Sequence, residues 1–224
     1  MQIGALTSQL TMLRFTVGQA YVWRDGEELT LIDTGPAGSA PDIVGALAAL
    51  GRLRRIVLTH FHDDHTGSAA ALATGGVQVL AHRADAPIIR GDRPGPLPAF
   101  TPAERELHAR VAVGLPPAPP VRVDHELDEG DQLDLGGGAT VLSVPGHTDG
   151  SIALHLPVPG VLFTGDVVAE SAGELLLGPF NLDTARAATS ARRLAAVPDV
   201  DIACLGHGEP VVGRASRRLR LLRT

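Results

Sequence analysis

The chain has 224 residues, 44% hydrophobic and 20% charged, and a net charge of −6, which suits a globular protein with a sizeable core rather than a nucleic-acid-binding one. No apolar run approaches the ~18 residues of a membrane span, and no charged-then-apolar leader opens the chain, so no membrane partner and a cytoplasmic location are expected. The single cysteine, Cys204 in "DIACLGHG", excludes an internal disulfide and reads as a small core residue of a buried strand.

In chain order, "AYVWRDGEELTLIDTG" reads as two strands around an Asp25-Gly26 turn. "SAPDIVGALAALG" reads as a helix with Ser39 as N-cap, Pro41 in the first turn and Gly51 as C-cap. "RRIVLTH" is a short buried strand, "GSAAALATGG" a small-residue helix and "VQVLAH" another strand. Residues 91–120 are Pro-rich at both ends and enclose a helical stretch near 102–113, a loop-helix-loop insertion within a single domain spanning 1–224. "ATVLSVPG", "SIALHLP" and "GVLFTGD" are strands, "DTARAATSARRLAAV" a helix, "DIACLG" a strand and the tail a last helix with a solvated arginine face. Each half ends strands in His-bearing loops, which suggests two similar layers.

"LTHFHDDHTG" crowds His60, His62, Asp63, Asp64 and His65 at the end of an apolar strand. In extended chain His60 and His62 point the same way, and Asp64 continues that side as the chain turns. Buried His and Asp cost several kcal/mol unless paired or metal-bound. Capping of the next helix would explain one aspartate but not three histidines. Imidazole and carboxylate at this spacing suit a divalent metal, zinc above all. Further ligand types follow other strands: His147 in "VPGHTDGS", Asp166 in "LFTGD" and His207 in "CLGHGEP".

The sequence His60-x-His62-x-Asp64-His65, followed in order by "PGHTDGS", "LFTGD" and "GHG" and preceded by "LIDTG", resembles the metallo-β-lactamase fold superfamily over about residues 20–212. The resemblance implies an α/β four-layer αββα sandwich. It implies that His60, His62 and His147 hold one divalent ion and that Asp64, His65 and His207 hold a second. Asp166 would bridge both, and Asp33 would fix a ligand histidine by hydrogen bonding. The ions would be zinc, with iron or manganese as alternatives. Asp63 is outside the ligand pattern and is expected to be a solvent-side or capping residue.

Such a centre implies a hydrolase in which a metal-bridging hydroxide cleaves an ester-like acyl bond of a small molecule, a thioester or lactone, with Asp64 and Asp166 as its catalytic carboxylates. An aspartate at the Asp166 position favours glyoxalase-II-like and lactonase-like relatives over β-lactamases. Against a true glyoxalase II, the segment "AESAGELLLGPFNLD" offers no Lys or Tyr for glutathione and no helical domain follows; against a lactonase, it lacks a tyrosine, the chain's only one being Tyr21. Leu97, Phe100, Leu107 and Val111 in the insertion are candidate substrate-covering residues favouring an apolar acyl group, unless the Leu107-Val111-Leu115 stripe simply packs onto the body. The rivals within the superfamily are a mononuclear-iron persulfide dioxygenase and a ribonuclease. His82, His108, His125 and His155 are read as ordinary surface or hydrogen-bonded histidines. The sequence does not specify an oligomeric state.

Overall fold

The computed structural model describes residues 1–223, and the chain divides into two compact units: Met1–Pro94 with Leu115–Leu127, and Gly95–Gly114 with Asp128 onward. The first unit is built on a seven-stranded sheet in the order β1 (Gln2–Ala5), β2 (Leu10–Arg14), β3 (Gln19–Asp25), β4 (Glu28–Ile32), β5 (Arg52–Leu58), β6 (Gln78–His82) and β7 (His125–Leu127). The first four strands pair antiparallel and the last four parallel. Helix α1 (Ala40–Leu47) makes the crossover between the parallel neighbours β4 and β5, and α2 (Asp63–Thr66), α3 (Ala69–Leu72) and α4 (Ala86–Ile89) are single turns.

The β3–β4 hairpin closes through Gly26 and Glu27, with Asp25 opposite Glu28. Helix α1 buries Ala40, Ile43 and Leu47, one face at helical spacing. They join Leu29, Leu31, Ile56, Leu58 and Val79 in the core of this unit. Two expectations about helix ends are corrected. Ser39 stands at the N-cap of α1 but its side chain caps nothing; its N–H instead donates to Ser68 Oγ at 3.1 Å. The C-cap is Ala48, and Gly51 lies beyond it. The helix expected over "GSAAALATGG" is only α3, because Ala73 leaves the helical region (ψ 56°) and Thr74 begins a tight turn closed by the Val77 N–H.

The second unit carries α5 (Pro102–Val111) and a six-stranded sheet in the order β15, β14, β11, β10, β9, β8. Its strands are β8 (Gln132–Leu133), β9 (Ala139–Ser143), β10 (Ile152–Leu156), β11 (Val161–Gly165), β14 (Ile202–Leu205) and β15 (Val211–Val212), with only β11 and β14 parallel. Between β11 and β14 the chain inserts a separate hairpin, β12 (Val168–Ser171) and β13 (Glu174–Leu177), and then α6 (Thr184–Ala195). Helix α6 buries Ala187, Ser190, Ala191 and Leu194 and keeps its arginines outside. The tail helix is short, α7 (Ala215–Leu219), with Ala215 and Leu219 buried and Arg217 and Arg218 exposed. Cys204 is fully buried in β14, and burial pushes its thiol pKa up. Among the described residues no helix is long and apolar enough to cross a membrane.

Helix α5 adds nothing to the core of its unit. None of its residues is buried, and its start is secured by a reciprocal pair in which the Glu104 N–H donates to Thr101 Oγ1 and the Thr101 N–H to Glu104 Oε2. Leu97 is 86% exposed.

His155, expected to be a surface or hydrogen-bonded histidine, is half-buried. It lies in β10 with Nε2 buried and, among the described residues, without a hydrogen-bond partner, and burial lowers its pKa. The unfolded chain takes up a proton near pH 6.5 where the folded chain does not, so stability falls as pH drops through that value. His155→Leu is expected to lose less stability than the parent between about pH 7 and about pH 5. Parallel urea titrations at the two pH values measure the difference.

Candidate metal centre

Within the first unit the site grows from the C-terminal ends of β4 and β5. Ile32 is in register with Val57, so the residues just past these parallel strands meet at one sheet edge. Asp33 is the first of them, buried, with a left-handed backbone (φ 60°) that aspartate tolerates better than most residues. Its Oδ1 accepts the Thr59 N–H at 2.8 Å, and its Oδ2 accepts the Thr59 hydroxyl and His65 Nδ1–H, each at 2.8 Å. Thr59 Oγ1, its proton committed to Asp33, accepts from His60 Nδ1–H at 3.0 Å.

This network sets both tautomers. With Nδ1 of His60 and of His65 acting as donors, the Nε2 atoms carry the lone pairs. His60 Nε2 lies 3.1 Å from His62 Nδ1, and His65 Nε2 lies 3.5 Å from Asp64 Oδ2. Nitrogen atoms of His60 and His65 also come within 4.8 Å of one another. Four electron-rich side chains from six consecutive residues thus converge, three of them buried. Acceptors brought this close repel unless a proton or a cation lies between them. The donor set of imidazole nitrogens and a carboxylate is that of a divalent metal.

The backbone around them is tightly held. His65 O accepts both the Thr34 N–H (2.7 Å) and its hydroxyl (2.8 Å). The Phe61 N–H, between His60 and His62, donates to Oδ2 of the buried Asp85 at 3.1 Å. Asp63 is half-buried and is not a cap: His62 is the N-cap of α2, and Asp63 Oδ1 accepts the Ala118 N–H at 2.7 Å.

Within the second unit the candidates lie past β9, β11 and β14, whose C-terminal ends share one edge of their sheet. Asp166 Oδ2 lies 3.1 Å from His207 Nε2 and 3.7 Å from His147 Nε2. Asp166 and His147 are buried, while the His207 side chain is 35% exposed. The His147 turn is pinned to the start of α6: the Leu182 N–H donates to His147 O and the Asp183 N–H to Gly146 O. Gly146 has φ 131°, and a Cβ there would overlap the backbone of Ala187. The sequence marks that glycine; the reason, a helix terminus lying against it, is visible only in the fold.

Leu97 is exposed, Val111 is 38% exposed and Leu107 is half-buried. The Phe100 ring packs tilted against His108 and edge-on against Phe180, with ring centroids 4.9 and 5.8 Å away. Thr59, Asp85 and the loop around Phe180 are not singled out by the sequence reasoning. Thr59 has a signal, since it directly precedes His60. Asp85 has none, lying 24 residues from the backbone it holds.

Removing the Asp33 carboxyl leaves several buried donors without an acceptor. Asp33→Ala is expected to lower the unfolding free energy by about 3 kcal/mol, and Asp33→Asn by less, in urea titrations of the metal-free protein.

A profile described as the metallo-beta-lactamase superfamily matches residues 13–207. The chain is 36% identical over 175 residues to a hydroxyacylglutathione hydrolase of Fuscovulum blasticum, covering 76% of this chain and 55% of that protein. It is 31% identical over 206 residues to one of Rhodobacter capsulatus, covering 90% and 67%. The chain thus spans little more than half the length of several of its curated relatives. Among solved structures, the metallo-beta-lactamase family protein TTHA1429 of Thermus thermophilus superimposes with a TM-score of 0.72 at 25% identity, over 97% of this chain and 79% of that one. TTHA1623, solved in a di-iron-bound form, superimposes with a TM-score of 0.66 at 29% identity, over 90% and 92%. The strand-end His and Asp residues, the fold and the match across residues 13–207 agree, and the chain belongs to the metallo-beta-lactamase superfamily.

Proposed function

We propose that this chain is a dinuclear-metal hydrolase that cleaves an ester-like acyl bond, a thioester first among them. The observation that carries this reading is the Asp33–Thr59 network, which turns the Nε2 lone pairs of His60 and His65 toward further acceptors. A side-chain network that fixes histidine tautomers is the usual partner of metal-ligating histidines. In this proposal His60, His62 and His147 would hold one ion, Asp64, His65 and His207 would hold the other, and Asp166 would serve both. When bound, the two ions supply Lewis acidity and bring a water molecule's pKa to about 7.

The chain's own residues then have distinct tasks. Asp33 and Thr59 hold the imidazoles in the ligating tautomer. Asp166 offers carboxylate charge next to His147 and His207. Asp64 Oδ2 accepts a proton during acyl transfer and passes it to the leaving group. Leu97, Phe100, Leu107 and Val111 form an apolar cover favouring a small substrate with an apolar acyl group, residues 91–120 being an insertion within one functional domain. The thioester preference draws on relatives named hydroxyacylglutathione hydrolases. Zinc is the first candidate from the donor set, and iron the second, given the di-iron form of TTHA1623. A cytoplasmic location fits a chain whose only cysteine, Cys204, is a free buried thiol.

The test combines metal analysis of protein purified without added metal with a panel of thioesters, esters, lactones and β-lactams. Two ions per chain and thioester or ester turnover are expected. His60→Ala should lower kcat/KM by about 10³-fold or more, on the scale of losing one catalytic group. One iron per chain with oxygen uptake, or RNA cleavage in place of acyl hydrolysis, overturns the proposal.

A further inference from the structure

His207 is the most exposed of the three candidate ligands in the second unit, and it sits in a loop two residues past β14. Something other than burial must hold it. On one side the Gly206 N–H donates to Gly165 O at 3.0 Å, which ties the loop to the turn that carries Asp166. On the other side the loop meets Glu170, in β12. The Glu170 N–H donates to His207 O at 3.1 Å. Glu170 Oε2 accepts the Glu209 N–H at 2.8 Å, so main chain and side chain of one residue grip both flanks of Gly208. Gly208 itself has φ 90°, and a Cβ there would overlap the Glu170 carbonyl oxygen. The approach is therefore as close as backbone allows.

The other carboxylate oxygen is also committed. Glu170 Oε1 accepts the Gly173 N–H at the tip of the hairpin, which locks the side chain. The hairpin is braced from behind: Arg218 donates to Gly173 O at 2.7 Å, Arg223 pairs with Glu174 at 2.8 Å, and the Leu177 N–H donates to Arg223 O at 3.0 Å. A two-stranded hairpin alone is marginal in water, so these ties make it a strut.

We propose that Glu170 is the positioning residue for His207, holding its imidazole 3.1 Å from Asp166 Oδ2 through a hairpin that belongs to neither main sheet. This rests on the proposed role of His207 as a metal ligand. Glu170 touches neither substrate nor metal; it acts by fixing the loop. A charged acceptor suits the task, because one carboxylate serves two amide donors at once and hydrogen bonds to charged groups are the stronger ones. Glutamine retains one acceptor oxygen and places a donor where the second acceptor stood.

The test is calorimetric titration of metal-stripped protein with Zn²⁺ alone, for the parent, Glu170→Ala, Glu170→Gln and the control Glu174→Ala. The control removes an ion pair of the same hairpin without touching the Glu170 acceptors. Expected for Glu170→Ala are an unchanged first ion and a second ion weakened by about 10- to 100-fold, with a smaller loss in Glu170→Gln and none in Glu174→Ala. The His207 imidazole resonances of the metal-free protein should shift in Glu170→Ala and stay put in Glu174→Ala, a readout independent of any metal. Tight second-ion binding in a folded Glu170→Ala, with unmoved His207 resonances, overturns the proposal and leaves the hydrolase reading intact. If Glu170→Ala does not fold, Glu170→Gln decides by the same two measurements. A parent protein that takes up no second ion overturns the dinuclear reading and this inference with it.

Discussion

A single buried carboxylate organises the first unit. Asp33 takes three donors at 2.8 Å, from the Thr59 backbone, the Thr59 hydroxyl and the His65 imidazole. A carboxylate left in such a place without partners costs several kcal/mol, so its presence demands the donors and fixes their positions. The geometry is available only because β4 and β5 run parallel, with Ile32 beside Val57, so that two strand ends open on the same edge. An antiparallel pair would send the Asp33 and His60 segments to opposite ends of the sheet. The α1 crossover, with Ala40, Ile43 and Leu47 buried on the sheet, is the element that enforces the parallel pairing.

The second unit reaches a similar end by different means. There, main-chain proximity fixes the loops that carry the imidazoles. Gly146 lies against the first turn of α6, and Gly208 lies against Glu170. Close backbone approach places loops as firmly as a hydrogen-bonded side chain does, because neither partner has a rotamer to change. The cost is intolerance: a methyl group at either position would collide with backbone, which yields less readily than a side-chain tip.

These two strategies explain what the sequence reveals. "LTHFHDDHTG" is legible because its donors are adjacent and too polar for the strand they follow, and Asp33 is legible through "LIDTG". Helix α1 and the β3–β4 hairpin are legible because their signals lie within a few residues. What fails is whatever depends on distant contacts. Ser39 has the chemistry of a cap, but its backbone is helical (φ −81°, ψ −9°) rather than extended, in a loop whose amide is tied to Ser68, 29 residues away. Asp63 has it too, and is claimed by Ala118. Strands β1 and β2 escape sequence reading, β1 being mostly exposed and bearing little apolar alternation. The β12–β13 hairpin hides in a segment whose sequence draws attention only to the Lys and Tyr it lacks. Asp85 and Glu170 act on backbone 24 and 37–39 residues away, which no local pattern encodes.

The exposed helix α5 is not isolated from the histidine loops of its own unit. Glu104 uses Oε2 to close its cap with Thr101 and Oε1 to accept the Phe180 N–H at 3.1 Å. Phe180 has a left-handed backbone (φ 64°), a conformation that costs a phenylalanine of order 1–3 kcal/mol and persists only where surroundings impose it. Here the imposition comes from Glu104 and from ring contacts with Phe100 and His108. Two residues later the Leu182 N–H donates to His147 O, and the next residue, Asp183, both bonds Gly146 O and caps α6. A continuous series of bonds therefore runs from the first turn of α5 to the His147 turn. Since α5 buries nothing, local bonds rather than a core hold it, and Glu104 is the residue through which its position bears on His147.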